Sequence, residues 1–341
     1  MVAQPFKSTI LDIQSLQQRY AKSAQVGALA KLLRTSTRGT VYADGLVGSS
    51  APLVFSALAD SVPSTFVFIL QDEDEAGYFY HDLQQIKGDG GVFFFPSSFK
   101  RAVKYGQRDS ANEILRTEVL TRLSTHADAA VPLLVVSYPE ALAEWVVAKQ
   151  QLNERRLSLK VGQAIDLTEV VHALRELGFT ETDYVYEPGQ FAVRGSLLDV
   201  FSFSCEDPFR VDFFGKEVDS IRTFEIQNQL SKAKCNAVEI VPELSTLEAH
   251  RVSFFKFLPE NSVLVAKDFA FVSETVGKIY EEGFSKQALT EKLAGATEME
   301  QQEIRQTFSK TQALVPPTEF VADAAPFRRI EIGTLPKTSR N

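Results

Sequence analysis

Four short apolar runs constrain this chain more than any other feature. FVFIL (66–70), VFFF (92–95), LLVVS (133–137) and VLVA (263–266) are continuous, not alternating. Successive side chains of a strand point to opposite faces, so a strand apolar throughout has no face to offer water. Such runs belong in a parallel sheet covered on both sides. Helical patterns surround them at 11–20, 26–33, 53–59, 74–86, 112–123, 139–147 and 269–280. Residues 40–43 read as a first strand and 327–332 (FRRIEI) as a last one. Repeated βα units of this kind predict an α/β fold. The 26 phenylalanines predict aromatic-rich cores.

The rhythm breaks near Arg156. Residues 157–161 alternate at period two, and 168–177 form an amphipathic helix. Leu167, Val170, Val171, Leu174 and Leu177 share one face of that helix, and Gly178 suits the position just past its end. Asp166 and Glu169 have capping-box spacing. From Gly178 to about Val241 only strands and turns follow. The pattern predicts a small α+β domain, one helix with an antiparallel sheet, interrupting a discontinuous parallel-sheet domain. The expected division is 1–155 for the first segment, 156–242 for the insert and 243–341 for the return segment. Residues 285–310 are expected to be helical and exposed.

A chain of 341 residues has room for two or three domains. Its net charge of −8 opposes binding nucleic acid by bulk electrostatics, which relies on clustered Lys and Arg. Cys205 and Cys235 lie in no CxxC or Cys–His pattern, so no zinc site is expected. Two isolated thiols fit a reducing compartment, although a single disulfide between them stays open. MVAQPFKSTI lacks the apolar core of a signal peptide, and no run approaches the roughly 20 residues of a membrane span. A cytoplasmic location without a membrane partner is therefore expected.

Three stretches are candidate sites. The first is GLVGSSAP (45–52), placed after a strand and before a helix as a phosphate loop would be. A working loop reads GxxxxGK[ST], with backbone N–H groups and Lys on the phosphates and Ser/Thr on magnesium. Aligned on Gly45, the chain has Ser50, Ala51 and Pro52 at the second Gly, the Lys and the Ser/Thr, with Gly48 between. A structural turn is the plainer reading, and weak anion binding at the helix N-terminus is the alternative. The second stretch is DEDE (72–75), which superficially resembles an ATPase magnesium motif. Acids at a helix N-terminus also complement its dipole, and that is the simpler account. No HExxH, GxSxG or Cys–His pair is present, so hydrolase chemistry has no footing. Trp145 is expected to be a core residue on the 139–147 helix.

The third stretch runs from 186 to 224. In RVDFF (210–214) alternation puts Val211 and Phe213 on one face and Arg210, Asp212 and Phe214 on the other. In FAVR (191–194) Phe191 and Val193 pair off, leaving Arg194 with Ala192. One solvated face would then carry Arg194, Arg210 and an out-of-place Phe214. Arginines and aromatics are enriched at interface hot spots. The competing reading pairs the arginines with local acids (Asp199, Asp212, Glu217) and uses Phe214 to cover a second core.

PGQFAVRGSLLDVF followed by PFRVDFFGKEVDSIRTFEIQNQLS closely resembles the N-terminal region of the bacterial transcription-repair coupling factors, the Mfd family. The resemblance is strong from about 156 to 242 and weaker but collinear on both sides. It implies a UvrB-like three-part unit: a degenerate P-loop (RecA/helicase-like) domain without a working phosphate loop, an inserted domain, and a return to the first. It implies that the insert recruits UvrA, with Arg194, Arg210 and Phe214 matching the family's contact residues. No catalytic residue, metal or cofactor is implied for this chain. ATP and magnesium, with RNA polymerase and DNA as partners, would belong to motor and polymerase-binding parts absent here, which makes the chain an expected N-terminal fragment. In the intact family the C-terminal part masks the docking surface. UvrB, an excision-repair ATPase that binds DNA, is the nearest alternative. It would need a phosphate-loop Lys and an aromatic hairpin, and neither is found.

Overall fold

The computed structural model describes residues 13–35, 39–46, 48–88, 91–98, 109–125, 132–244, 250–282, 297, 301 and 313–333. In chain order the helices are α1 (Ile13–Ala21), α2 (Ala24–Thr35), α3 (Ser50–Ser61), α4 (Glu73–Lys87), α5 (Ser110–Thr125), α6 (Pro139–Leu142), α7 (Lys149–Glu154), α8 (Leu167–Glu176), α9 (Phe269–Glu282) and α10 (Pro317–Ala324). The strands are β1 (Thr40–Ala43), β2 (Phe66–Ile69), β3 (Val92–Phe94), β4 (Leu134–Ser137), β5 (Val146–Val147), β6 (Leu157–Lys160), β7 (Thr180–Glu181) and β8 (Gln190–Arg194). They continue with β9 (Leu197–Val200), β10 (Phe209–Phe214), β11 (Glu217–Phe224), β12 (Ser231–Cys235), β13 (Ala237–Ile240), β14 (Arg251–Val252), β15 (Val263–Ala266) and β16 (Arg328–Ile332).

Among the described residues, one six-stranded sheet runs β1-β16-β15-β2-β4-β3, and each of its neighbour pairs is parallel. The late strands β15 and β16 lie between β1 and β2, so the end of the chain fills a gap left by its beginning. Every residue of β2, β4 and β15 is buried, which requires cover on both faces. The core is aromatic as expected. Phe68 meets Phe55 at 5.2 Å and Phe79 at 4.9 Å between ring centroids, and Phe95 meets Phe254 at 4.5 Å.

Among the described residues, the buried side chains of a second core all lie between Leu159 and Ile240, with Leu157 packed against them. The one helix there is α8. Val170 and Leu174 are fully buried, and Leu167, Val171 and Leu177 pack on the same cluster. Gly178 follows the helix at φ +87°, a left-handed value that glycine takes without strain. The Asp166 side chain caps α8 by accepting from the Thr168 N–H at 3.0 Å, not from the Glu169 N–H that the capping box would use. The sheet over this core has the order β12-β11-β10-β9-β8-β7. It is antiparallel except that β7 pairs parallel with β8, so it is mixed where an antiparallel sheet was expected. β6 and β13 form a separate antiparallel pair.

Other expectations fail locally. The predicted 139–147 helix stops at Leu142. Val146 and Val147 pair instead with Val252 and Arg251, and the Trp145 N–H donates to the Ala313 carbonyl. Tertiary pairing and β-branched residues override a short helical pattern there. Trp145 is therefore off the helix and only partly buried, packed against the first core. α3 begins at Ser50, not 53, so Pro52 sits in its first turn, where a missing N–H costs little. Most of 285–310 lies outside the described residues.

Candidate functional site

The turn after β1 is held by Asp44, whose carboxylate accepts from the Gly45 N–H at 2.7 Å. Gly45 and Gly48 have φ of +85° and +56°. Ser50, Ala51 and Pro52 form the first turn of α3, and the preceding Ser49 makes no side-chain cap. A cavity of about 330 Å³ opens beside this turn, at the carboxyl ends of β2, β15 and β16. Ligands of open parallel sheets bind in this position. Its lining is mostly apolar, with Leu46, Phe68, Phe79 and Val265 among it, and its charged members are Glu75 and Lys267, which pair with each other. The lysine thus comes from the end of β15, not from the loop.

The acids after β2 are used by helix α4. Asp72 accepts from the Glu75 N–H at 2.9 Å, and the Glu75 carboxylate accepts from the Gln71 N–H at 3.1 Å. This is capping chemistry. Among the described residues no group of three or more His, Cys, Asp or Glu could hold a metal ion. Cys205 and Cys235 are both free thiols packed against the second core. Burial pushes the Cys205 thiol up to about 11, so it stays protonated at neutral pH.

The outer face of the second sheet is where chemistry gathers. Cross-strand register puts Ala192, Asp199, Arg210 and Arg222 in one row, and Arg194, Leu197, Asp212 and Ser220 in the next. Phe209, Val211 and Phe213 point the other way, into the core. Both Arg194 and Phe214 end a strand just before a glycine. Gly195 (φ +64°) and Gly215 (φ +61°) each open a two-residue hairpin loop, a place where positive φ favours glycine. The Phe213 N–H donates to the Ser196 carbonyl at 2.9 Å, which brings the two loops to the same end of the sheet. A bulge between Asp212 and Phe213 shifts the β10–β11 register just there. Phe214 is 83 % exposed.

The arginines are not free. Asp199, 1 % exposed, takes both of them. Arg210 grips it as a fork, with Nε to Oδ1 at 2.6 Å and Nη2 to Oδ2 at 2.8 Å. Nη1 and Nη2 of Arg210 also donate to the Gln229 carbonyl at 3.3 Å and Oε1 at 3.1 Å, and its guanidinium lies 4.3 Å from the Phe224 ring centre. The hydrogen bonds to Asp199 hold the Arg210 guanidinium above its ordinary range. Arg194 gives Nη2 to Asp199 and Nη1 to the Asp183 carbonyl at 3.3 Å, and it rests 5.2 Å from the Tyr184 ring centre. Asp212 pairs with Arg222. So one face carries Arg194, Arg210 and Phe214, and it also pairs the two arginines with a local acid. Gln229, Tyr184 and Phe224 were missed by the sequence reading. A charge inside the apolar strand LLDV was the one signal available for Asp199.

Residues 157–245 match the family model of the UvrB interaction domain. The chain is also 27 % identical over 198 residues to the transcription-repair-coupling factor of Bacillus subtilis (strain 168), covering 58 % of this chain and 16 % of that protein. To the transcription-repair-coupling factor of Myxococcus xanthus it is 29 % identical over 213 residues, covering 61 % and 18 %. To that of Haemophilus influenzae it is 32 % identical over 117 residues, covering 34 % and 10 %. The resemblance to the coupling-factor family read from the sequence is borne out by these matches. The similarity spans less than a fifth of the length of these curated relatives. Among the described residues, no helix is long and apolar enough to cross a membrane.

Proposed function

We propose that this chain is the N-terminal, UvrA-recruiting part of a transcription-repair-coupling factor and acts as a non-catalytic adaptor. The carrying observation is Phe214, exposed on the same sheet face that carries the Arg194–Asp199–Arg210 cluster, in the unit similar to the UvrB interaction domain. An exposed aromatic on one face with arginines is hot-spot chemistry, and the arginines would meet acids on UvrA. The proposed division is 1–155 and 243–341 for a degenerate P-loop domain and 156–242 for the docking module. An apolar cavity without a loop lysine supports the inactive reading of Gly45, Gly48, Ser50, Ala51 and Pro52. RNA polymerase and DNA would engage other parts of the whole protein, whose C-terminal part would mask this face.

Pull-down with UvrA tests the docking reading. Wild-type chain retains UvrA and Phe214→Ala does not; equal retention by both sinks the site. Calorimetry with ATP and magnesium tests the other half. No binding heat is expected, and micromolar binding or turnover would refute an inactive loop.

A further inference from the structure

We propose that Asp199 is the positioning residue of this docking face and that it divides the labour of the two arginines. The inference rests on the UvrA reading. Both guanidinium groups donate through Nη2 to the same Asp199 Oδ2, so they lie close enough to repel one another without the carboxylate between them. Asp199 lies on the strand between them, directly opposite Arg210 and Ala192, with both carboxylate oxygens engaged. Arg210 is closed by this arrangement. Each of its three guanidinium nitrogens donates to Asp199 or Gln229, and its side chain is only 13 % exposed.

The Gln229 side of the clamp is built with some strain. Gln229 is the one non-glycine with positive φ among the described residues, at +60°. In that conformation both its carbonyl and its Oε1 reach Arg210. A left-handed glutamine costs backbone energy that nearby contacts must offset. Arg194 differs. Its side chain is 34 % exposed, and Asp199 holds it through Nη2 alone. Two cations on one anion leave one surplus positive charge, and Arg194 is the cation that reaches solvent, leaning on Tyr184. Arg194 is therefore the arginine more open to a carboxylate of UvrA, while Arg210 first of all fixes Asp199, and Asp199 fixes Arg194 on the face.

The test uses the full chain, calorimetry with UvrA, and exchange rates of arginine Nε–H groups by NMR in the free chain. Asp199→Asn is expected to weaken UvrA binding at least tenfold with unchanged circular dichroism, and to speed exchange at Arg210 Nε–H. Adding Arg194→Ala to it is expected to cost less than a further twofold, because the two act as one unit. Binding within twofold of wild type by a folded Asp199→Asn overturns the proposal. So does an Arg210 Nε–H that exchanges as fast in the wild type as in the variant. Should the wild type not bind UvrA at all, the docking reading fails, and the exchange rates alone still decide the clamp. Should Asp199→Asn fail to fold, Gln229→Gly replaces it, keeping the left-handed backbone and deleting Oε1. A threefold weaker complex and faster Arg210 exchange are then expected, and no change in either refutes the clamp.

Discussion

Replacing Phe214 with alanine removes an aromatic ring that the folded chain itself hardly uses. A buried aromatic covers about 150–250 Å². With 83 % of the residue exposed, roughly 170 Å² is open to a partner. At about 25 cal/mol per Å² that area corresponds to an upper value near 4 kcal/mol. Interface hot spots lose about 2–4 kcal/mol, so the affinity for UvrA should fall roughly 30-fold to 1,000-fold. The melting temperature should barely move, since exposed substitutions stay within about 0.5 kcal/mol. The neighbouring position supplies the contrast. Phe213 is 5 % exposed and belongs to the second core, so Phe213→Ala should cost about 3–5 kcal/mol of stability. Titration calorimetry with UvrA, paired with thermal melts, reads both variants. A Phe214→Ala complex within threefold of wild type, or a large drop in its melting temperature, would refute the face assignment.

Three further outcomes are open to measurement. Arg116 and Glu144 form a buried pair at 3.4 Å, with Arg116 also donating to the carbonyls of Pro96 and Ala141, so Glu144→Ala should cost about 3–5 kcal/mol in urea unfolding; a loss below about 1 kcal/mol would contradict it. Asp166 is held below its usual value of 3.8, mainly by hydrogen bonds from Thr168, so its capping of α8 is present above that pH and is lost as pH falls through the lowered value; acid melts of Asp166→Asn should lack that component. Cys205 should resist a thiol reagent at pH 7 in the folded chain and react quickly once unfolded, and fast native labelling would remove the claim that burial holds its proton.

The apolar runs were legible because they report burial directly. FVFIL, LLVVS and VLVA became β2, β4 and β15 with every strand residue buried. Period-two counting also placed Arg210 and Phe214 opposite Val211 and Phe213, since pleating is local. What failed was set at long range. Val146 and Val147 became a strand because Arg251 and Val252 lie beside them, more than a hundred residues on. The row from Ala192 through Asp199 to Arg210 depends on cross-strand register, so no single segment announces that one acid serves two arginines. Gln229 carries no local sign of its role, because its left-handed backbone matters only once Arg210 is in reach.

The placement of β15 and β16 between β1 and β2 also sets an order of events on the ribosome. Thr40 pairs with Arg329, so among the described residues β1 gains a strand neighbour only after residue 329 has been made. The second core, by contrast, is complete once Ile240 has emerged. At about 5–20 residues per second, the roughly 90 residues from Ile240 to Ile332 take on the order of 5–18 s. On this reasoning the second core is folded while the parallel sheet is still open. Nascent chains arrested near residue 290 should then yield a protease-resistant core within 157–240 and a labile N-terminal part, and equal resistance of both would show that the host closes without its last strand.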